Sequence, residues 1–148
     1  MPKNIPYGIM NYEEIIKGSN YFIDKTKYIS KLEKINNPIF LRPRRFGKSL
    51  LCSMLEYYYD INQVENFQNL FGHTWIGENP TENHNSYIIL KYDFSVIAIS
   101  ENLTEIEQNF NRYCVGKLTQ LRNYYPQFFQ NFPVIQPDEN ISTALALW

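Results

Sequence analysis

The segment from Ile39 to Asp60 constrains the fold of this 148-residue chain more than any other part of the sequence. It opens with the apolar run Ile39-Phe40-Leu41, which is typical of a buried parallel strand. A polar turn over Arg42–Gly47 follows. The next stretch, Lys48–Asp60, has apolar residues at helical spacing, which predicts a helix with one buried face: Leu51, Met54, Leu55 and Tyr58.

The rest of the sequence extends this alternation of helices and strands. Helical spacing predicts helices over Lys25–Ile35 and Leu103–Tyr124, and a second apolar run predicts a strand over Tyr87–Leu90. Shorter predicted elements are helices over Asn11–Lys17, with Asn11 as the candidate N-cap, over Phe67–Phe71 and from Pro137 onward, and a loop over His73–Ser86. This order predicts an α/β fold with a mainly parallel sheet and flanking helices, in one domain over residues 1–148.

The turn before the helix matches most of a phosphate-binding pattern. In G-x-x-x-x-G-K-[ST], Gly47, Lys48 and Ser49 supply the second half, and Arg42 stands in place of the first glycine. A glycine lets backbone amides approach phosphates, the lysine reaches the outer phosphate oxygens, and the serine hydroxyl can bind Mg²⁺. The predicted phosphate-binding residues are Arg45, Phe46, Gly47, Lys48, Ser49 and Leu50. The alternative is an ordinary strand–turn–helix junction with solvated Lys48 and Ser49.

The loop Arg-Pro-Arg-Arg-Phe-Gly-Lys-Ser also resembles that of the AAA-ATPase-like family of uncharacterised, mainly microbial proteins, which often carry a PD-(D/E)XK nuclease-like domain after the ATPase. Further resemblances, spanning most of residues 5–97, are Gly8-Ile9 with Tyr12, Tyr21–Thr26, Ser53–Asp60, Phe67–Phe71 with Ile76, and Ile88–Ser95. The resemblance implies a P-loop NTPase-like domain that binds ATP, with Mg²⁺ held through the nucleotide and Ser49.

A P-loop ATPase also needs an acidic strand end that holds Mg²⁺. The early candidate is Asp93, for which capping of a turn is the favoured interpretation. In the resembling family the acidic strand comes later, and the chain ends at Trp148 before such a segment. We therefore expect an incomplete ATPase domain that does not turn over nucleotide by itself. The alternative is a non-catalytic interaction module with a remnant loop, which recruits a protein partner or self-associates through an incomplete sheet.

Composition bears on the partners of the chain. The 14 basic and 15 acidic residues give a net charge of −1, so no global field favours nucleic acid or anionic membranes. The longest apolar stretch, Tyr87–Ile99, is interrupted by Lys91 and Asp93 and is too short to span a bilayer. The sequence predicts a soluble, cytoplasmic protein. Cys52 and Cys114 are 62 positions apart and show no metal-binding spacing.

Some single residues also carry expectations. At least one of the loop arginines, Arg42, Arg44 and Arg45, is expected near phosphate; the alternatives are contact with a nucleic-acid backbone, a solvated turn, or packing on an aromatic ring. Asp24 is expected to cap the helix that follows it. Cys52 is expected to pack as a small apolar residue, and His73 and His84 are expected at the surface.

Overall fold

The computed structural model describes residues 3–136 and 140–146, and the chain divides into two compact units, Met1–Ile88 and Ile89–Trp148. The described residues of the first unit form five α-helices: α1 (Tyr12–Lys17), α2 (Ile29–Leu32), α3 (Lys48–Tyr59), α4 (Phe67–Phe71) and α5 (Trp75–Glu78). Short 3-10 helices precede α2 and follow α3, over Thr26–Tyr28 and Ile61–Asn66. The second unit contains a 3-10 turn over Phe94–Val96 and the helices α6 (Leu103–Tyr124) and α7 (Ile141–Ala146).

Local capping explains where several helices begin. The side chain of Asn11 accepts a hydrogen bond from Glu14 N (3.2 Å) at the start of α1, as the sequence predicts. Asn102 does the same for Thr104 N (2.9 Å) at the start of α6, whose predicted bounds are confirmed. Helix α3 ends at Tyr59, and the carboxylate of the next residue, Asp60, accepts from Asn62 N (2.9 Å) at the start of the following 3-10 helix.

The core of the first unit is largely aromatic. Tyr12 is fully buried and stacks on Phe71, with ring centroids 5.0 Å apart, and Tyr58 meets Phe71 edge-on at 5.4 Å. The Tyr12 hydroxyl donates to Leu70 O (2.9 Å), and Tyr12 N donates to Ser53 Oγ (3.0 Å), so the hydroxyl and the N–H of this buried tyrosine are satisfied. These contacts hold α1, α3 and α4 together.

The predicted α/β fold is wrong. The described residues form no sheet; their extended segments make only two isolated parallel bridges, Asn4 with Asn20 and Asp60 with Tyr87. Tyr87 N donates to Tyr59 O (2.9 Å) and Ile61 N donates to Tyr87 O (3.0 Å). The first residue of the predicted second strand therefore forms its backbone hydrogen bonds with residues at the end of α3 and just after it, not with another strand. The fold is helical because ring packing and helix contacts, rather than strand pairing, bury the apolar side chains.

The predicted strand Ile39-Phe40-Leu41 shows the same error in its side chains. It is not a strand, and Ile39 and Leu41 are 85% and 89% exposed. Three apolar residues in succession fit a buried strand only if the strand belongs to a sheet whose two faces are covered by other elements. The described part of the chain forms no sheet, and this segment lies open to solvent.

Two predicted boundaries in the first unit also change. Helical structure around the predicted helix Lys25–Ile35 covers only Thr26–Leu32. The predicted loop His73–Ser86 contains α5, which Thr74 caps by accepting from Gly77 N through its hydroxyl (3.3 Å). Isolated four-residue helices are unstable in water, so α5 depends on tertiary partners.

The second unit packs α7 against α6 around a small apolar core formed by Val115, Leu118, Ile135 and Ala144. The buried Tyr125 follows α6, and its hydroxyl accepts from Ile89 N (3.0 Å). The predicted final helix is present as α7, although its predicted start at Pro137 lies outside the described residues. Within 3–136 and 140–146, no helix has the length and apolar character that a membrane crossing requires.

Candidate phosphate-binding loop

The loop enters α3 through Gly47, which has φ 74° and ψ 21°. This left-handed conformation is readily accessible to glycine and costly for residues with a Cβ. Leu51 N donates to Gly47 O (2.9 Å), the first hydrogen bond of the helix. Gly47 has no side chain to cap the first turn, so neither the cap residue nor the helix supplies an acceptor for the N–H groups of Lys48, Ser49 and Leu50, and uncapped helix starts of this kind can bind anions.

The loop backbone carries a second left-handed residue. Arg45 has φ 65°, two positions before Gly47. A left-handed residue followed by a right-handed one, as at Gly47 and Lys48, turns successive N–H groups toward one concave side, an arrangement that favours anions. The sequence motif identifies Gly47 as a special position but gives no sign of the conformation of Arg45.

The Lys48 ammonium folds back over the loop. Its Nζ donates to Arg42 O (2.5 Å) and lies 3.4 Å from Pro43 O. An ammonium has three donor hydrogens, so these two carbonyls leave one for another acceptor. The carbonyl that accepts from Lys48 Nζ belongs to Arg42, the residue that stands in place of the first glycine of the motif. The ammonium of Lys48 and the first-turn amides of α3 therefore belong to one loop.

The three loop arginines have different surroundings. The Arg42 guanidinium lies 5.0 Å from the centroid of the Phe40 ring, a cation–π contact, so packing on an aromatic ring is the correct interpretation for this residue. Arg44 and Arg45 are exposed and form no hydrogen bond, ion pair or ring contact within the part of the chain that the structure describes. These two guanidiniums can therefore contact an anion without breaking an existing interaction.

The fit of the loop to Mg²⁺ rests on one side chain. Ser49 is exposed at the start of α3, and its hydroxyl can supply one oxygen ligand, with phosphates and water supplying others. Residues 3–136 and 140–146 contain no group of three or more His, Cys, Asp or Glu side chains that could hold a metal ion by themselves. The described residues thus fit a metal ion brought by a phosphate chain better than an all-protein metal site.

Asp93 caps a turn, in agreement with the favoured interpretation from the sequence. Its Oδ1 accepts from Ser95 N (3.0 Å) and from Ser95 Oγ (2.6 Å) at the start of the 3-10 turn. These two hydrogen bonds from Ser95 lower the pKa of the exposed carboxyl. The local geometry of Asp93 is therefore that of a cap.

Asp24 and Thr26 have a role that sequence reasoning missed in part. Asp24 Oδ1 accepts from Thr26 N (2.8 Å), a local cap as predicted, but Asp24 Oδ2 also accepts from Trp75 N (2.7 Å). Thr26 Oγ1 accepts from Ile76 N (3.1 Å). These two residues thus satisfy the first N–H groups of α5. The distant partners leave no local signal, because α5 lies in a stretch whose composition predicts a loop.

Two expectations about single residues are corrected. Cys52 is exposed and does not pack as a small apolar residue, because its position faces away from the buried side of α3. His84 is half-buried; its ring lies 5.0 Å from that of Phe67, and its Nδ1 is 2.6 Å from Thr81 O. His73 is exposed, as expected.

Comparisons with known proteins match residues 6–147 to the family described as Predicted AAA-ATPase. A curated relative, the Uncharacterized protein in vnfD 5'region of Azotobacter chroococcum mcd 1, is 42% identical over 55 residues, which are 36% of this chain and 11% of that protein. The matched segment thus spans about a tenth of the relative. No solved structure matches the chain.

Proposed function

The chain belongs to the predicted AAA-ATPase family, and we propose that its Arg42–Ser49 loop binds the phosphates of ATP. The observation that carries this proposal is the start of α3, where left-handed Gly47, the uncapped first turn and the Lys48 ammonium occur together. Arg45, Phe46, Gly47, Lys48, Ser49 and Leu50 would surround the phosphates.

Each of these groups has a defined task. The first-turn amides would donate to phosphate oxygens. Lys48 would donate its remaining hydrogen to a phosphate oxygen, or would replace one of its hydrogen bonds to a loop carbonyl by a hydrogen bond to phosphate. Ser49 would hold Mg²⁺ that arrives with the nucleotide, and the ion would supply neutralisation of the phosphate charge. We propose binding without turnover by this chain alone, because Asp93, the early acidic candidate, caps a turn through Oδ1, which accepts both hydrogen bonds from Ser95.

Thermal unfolding with and without Mg²⁺–ATP tests the proposal. Ligand at about 100 times its dissociation constant should stabilise the fold by roughly 2.7 kcal/mol, a rise in Tm of about 5–10 °C for this size. Lys48→Ala should lose this rise, whereas Lys34→Ala, which removes an exposed lysine before the loop, should keep it. An unchanged Tm in well-folded wild-type protein would refute the proposal, and Lys48-dependent ATP hydrolysis would refute binding without turnover.

A second candidate function is protein binding through the open segment Ile39–Leu41, which favours association because exposed apolar residues lie next to each other there. The partner would be another protein or a second copy of the chain. Sedimentation over a range of concentrations tests self-association. Ile39→Ser with Leu41→Ser should weaken it, and Lys48→Ala should not, which separates this function from phosphate binding. A wild-type monomer at every concentration would exclude self-association.

A further inference from the structure

The cations of the phosphate-binding loop divide into two pairs with different surroundings. Arg42 and Lys48 are engaged within the loop, the first on the Phe40 ring and the second on the carbonyls of Arg42 and Pro43. Arg44 and Arg45 have no such contacts among the described residues. The engaged pair shapes the loop, and the second pair is available to an incoming anion.

The available pair lies close to the amides and the lysine of the proposed site. Arg45 precedes Lys48 by three residues, so their Cα atoms are at most about 11 Å apart, a gap that two long side chains and a phosphate chain can bridge. The surrounding sequence from Lys34 to Leu55 holds five basic residues and no Asp or Glu. No carboxylate in this stretch competes for the guanidiniums. Each additional phosphate group of a ligand is therefore attracted to a positively charged side chain of the loop.

The exposure of the loop bears on what the ligand can carry. Every residue from 34 to 49 is exposed, so the loop presents charged groups and backbone amides on an open surface. The ring of Phe46 is 62% exposed and could stack on a base. Such stacking does not distinguish one base from another, because every base has a π-face. The contacts that this loop can make thus depend on the phosphate chain far more than on the base.

We infer that Arg44 and Arg45 make this site select for the number of phosphates, so that it binds a triphosphate chain with little regard to what the chain carries. The ligands are nucleoside triphosphates of either purine and inorganic tripolyphosphate. The inference rests on the proposed phosphate-binding function and assigns the two arginines as its specificity determinants. Charge-assisted hydrogen bonds from guanidiniums to phosphate supply the selectivity.

Titration calorimetry with ATP, GTP, AMP and inorganic tripolyphosphate, at one Mg²⁺ concentration, tests the inference. The wild-type chain should bind the three triphosphates with similar affinities, and AMP at least about tenfold more weakly, a difference of one strong contact. The double variant Arg44→Gln with Arg45→Gln should lose about tenfold or more for the triphosphates and little for AMP. Arg112→Gln, which removes an exposed arginine of α6, is the matched control and should bind as the wild type does.

The outcomes distinguish failure of phosphate binding itself from failure of the role assigned to Arg44 and Arg45. If the folded wild-type chain binds none of the four ligands, the proposed function and the inference both fail. If it binds ATP but neither GTP nor tripolyphosphate, the loop binds nucleotide but the base selects it, and the inference is overturned. Equal binding by the double variant and the wild type also overturns it. Arg44→Lys with Arg45→Lys, which keeps the charge, should retain more triphosphate affinity than the glutamine variant if the inference holds.

Discussion

The carboxylate of Asp24 accepts a 2.7 Å hydrogen bond from the backbone N–H of Trp75, a residue 51 positions later in the chain. The neighbouring pair, Thr26 Oγ1 and Ile76 N, repeats this relationship at 3.1 Å. Helix α5 is thereby capped by side chains from a distant segment as well as by its own Thr74. The Asp24-Lys25-Thr26 segment, which resembles a family motif, therefore has a structural task in this unit.

Removal of the Asp24 carboxylate should destabilise the first unit. Asp24→Ala leaves Trp75 N and Thr26 N without their acceptor, and loss of a helix cap costs about 1–2 kcal/mol. Urea unfolding measures this free energy. Glu65→Ala, which removes an exposed carboxylate that forms no hydrogen bond or ion pair in the described part of the chain, should change it by less than about 0.5 kcal/mol. Equal effects of the two substitutions would show that the cap contributes nothing.

The same carboxyl should make stability depend on pH. Burial raises the pKa of Asp24, but hydrogen bonds from Thr26 and from Trp75 N–H outweigh it, with Lys27 adding to them, so the pKa lies below the ordinary 3.8. A lowered pKa in the folded state means that the stabilisation is present above pH 3.8 and is lost as the pH falls below it. Wild-type protein should thus lose unfolding free energy below pH 3.8 more steeply than Asp24→Ala does. Parallel acid curves would contradict this prediction.

The hydroxyl of Thr26 should be required at its buried position. Thr26→Val keeps the shape but leaves Ile76 N without an acceptor, which costs about 1–3 kcal/mol for a buried donor. Thr26→Ser keeps the hydroxyl and loses one methyl group, so it should cost only about 1 kcal/mol. Chemical denaturation compares the two. A valine variant as stable as the serine variant would show that this hydrogen bond is not needed.

Two glycines should respond to alanine in opposite directions. A Cβ at Gly47 or at Gly116 meets no non-neighbouring atom of the described residues within 4 Å, so neither substitution produces a clash among them. Gly47 has φ 74°, and Gly47→Ala should destabilise by about 1–2 kcal/mol through backbone strain. Gly116 lies within α6, and Gly116→Ala should stabilise by about 0.5–1 kcal/mol through helix propensity. Thermal unfolding measures both, and a change of the same sign at the two positions would contradict the assignment of strain to Gly47.

The sequence predicts best what local interactions determine. The bounds of α6 and the cap at Asn11 follow from residues within a few positions of each other, so spacing and capping rules are sufficient. The prediction of a sheet was wrong because burial of Ile39–Leu41 as a strand requires partner strands and elements that cover both faces of the sheet, and a short apolar run carries no information about whether these exist. Helix α5 was missed for the related reason that Asp24 and Thr26, about 50 positions away, supply its caps.

The candidate site shows the same division. Gly47, Lys48 and Ser49 stand out in the sequence because a motif is a local pattern, and the structure places them at the start of a helix as that motif requires. The contact of Lys48 with the carbonyl of Arg42 could not be predicted, because a carbonyl is present whatever the side chain is. The packing of Arg42 on Phe40 was one of several open alternatives, which only geometry could separate.

A polar network at the end of α3 leads to the last prediction. Glu33 Oε1 accepts from Tyr59 Oη (3.0 Å) and from Thr81 Oγ1 (2.7 Å). The Thr81 hydroxyl has one hydrogen, which it gives to Glu33, so the Tyr58 hydroxyl is the donor in its 3.0 Å contact with Thr81 Oγ1. Tyr58 Oη in turn accepts from Thr81 N (2.9 Å). Each hydroxyl hydrogen of this network thus has an acceptor.

Stability should therefore fall in alkali, in part through Tyr59. Burial, followed by the hydrogen bond to Glu33, raises the pKa of Tyr59 above the ordinary 10.0. A raised pKa in the folded state gives stabilisation that is present below pH 10.0 and is lost as the pH rises above it, because the unfolded chain releases the proton first. Tyr59→Phe should lower the unfolding free energy by about 1–2 kcal/mol at neutral pH and lose less on going above pH 10.0 than the wild type does. Tyr7→Phe, which changes an exposed tyrosine, is the control and should follow the wild-type dependence of unfolding free energy on pH. A Tyr59→Phe curve parallel to these two would show that ionisation of Tyr59 is not coupled to unfolding.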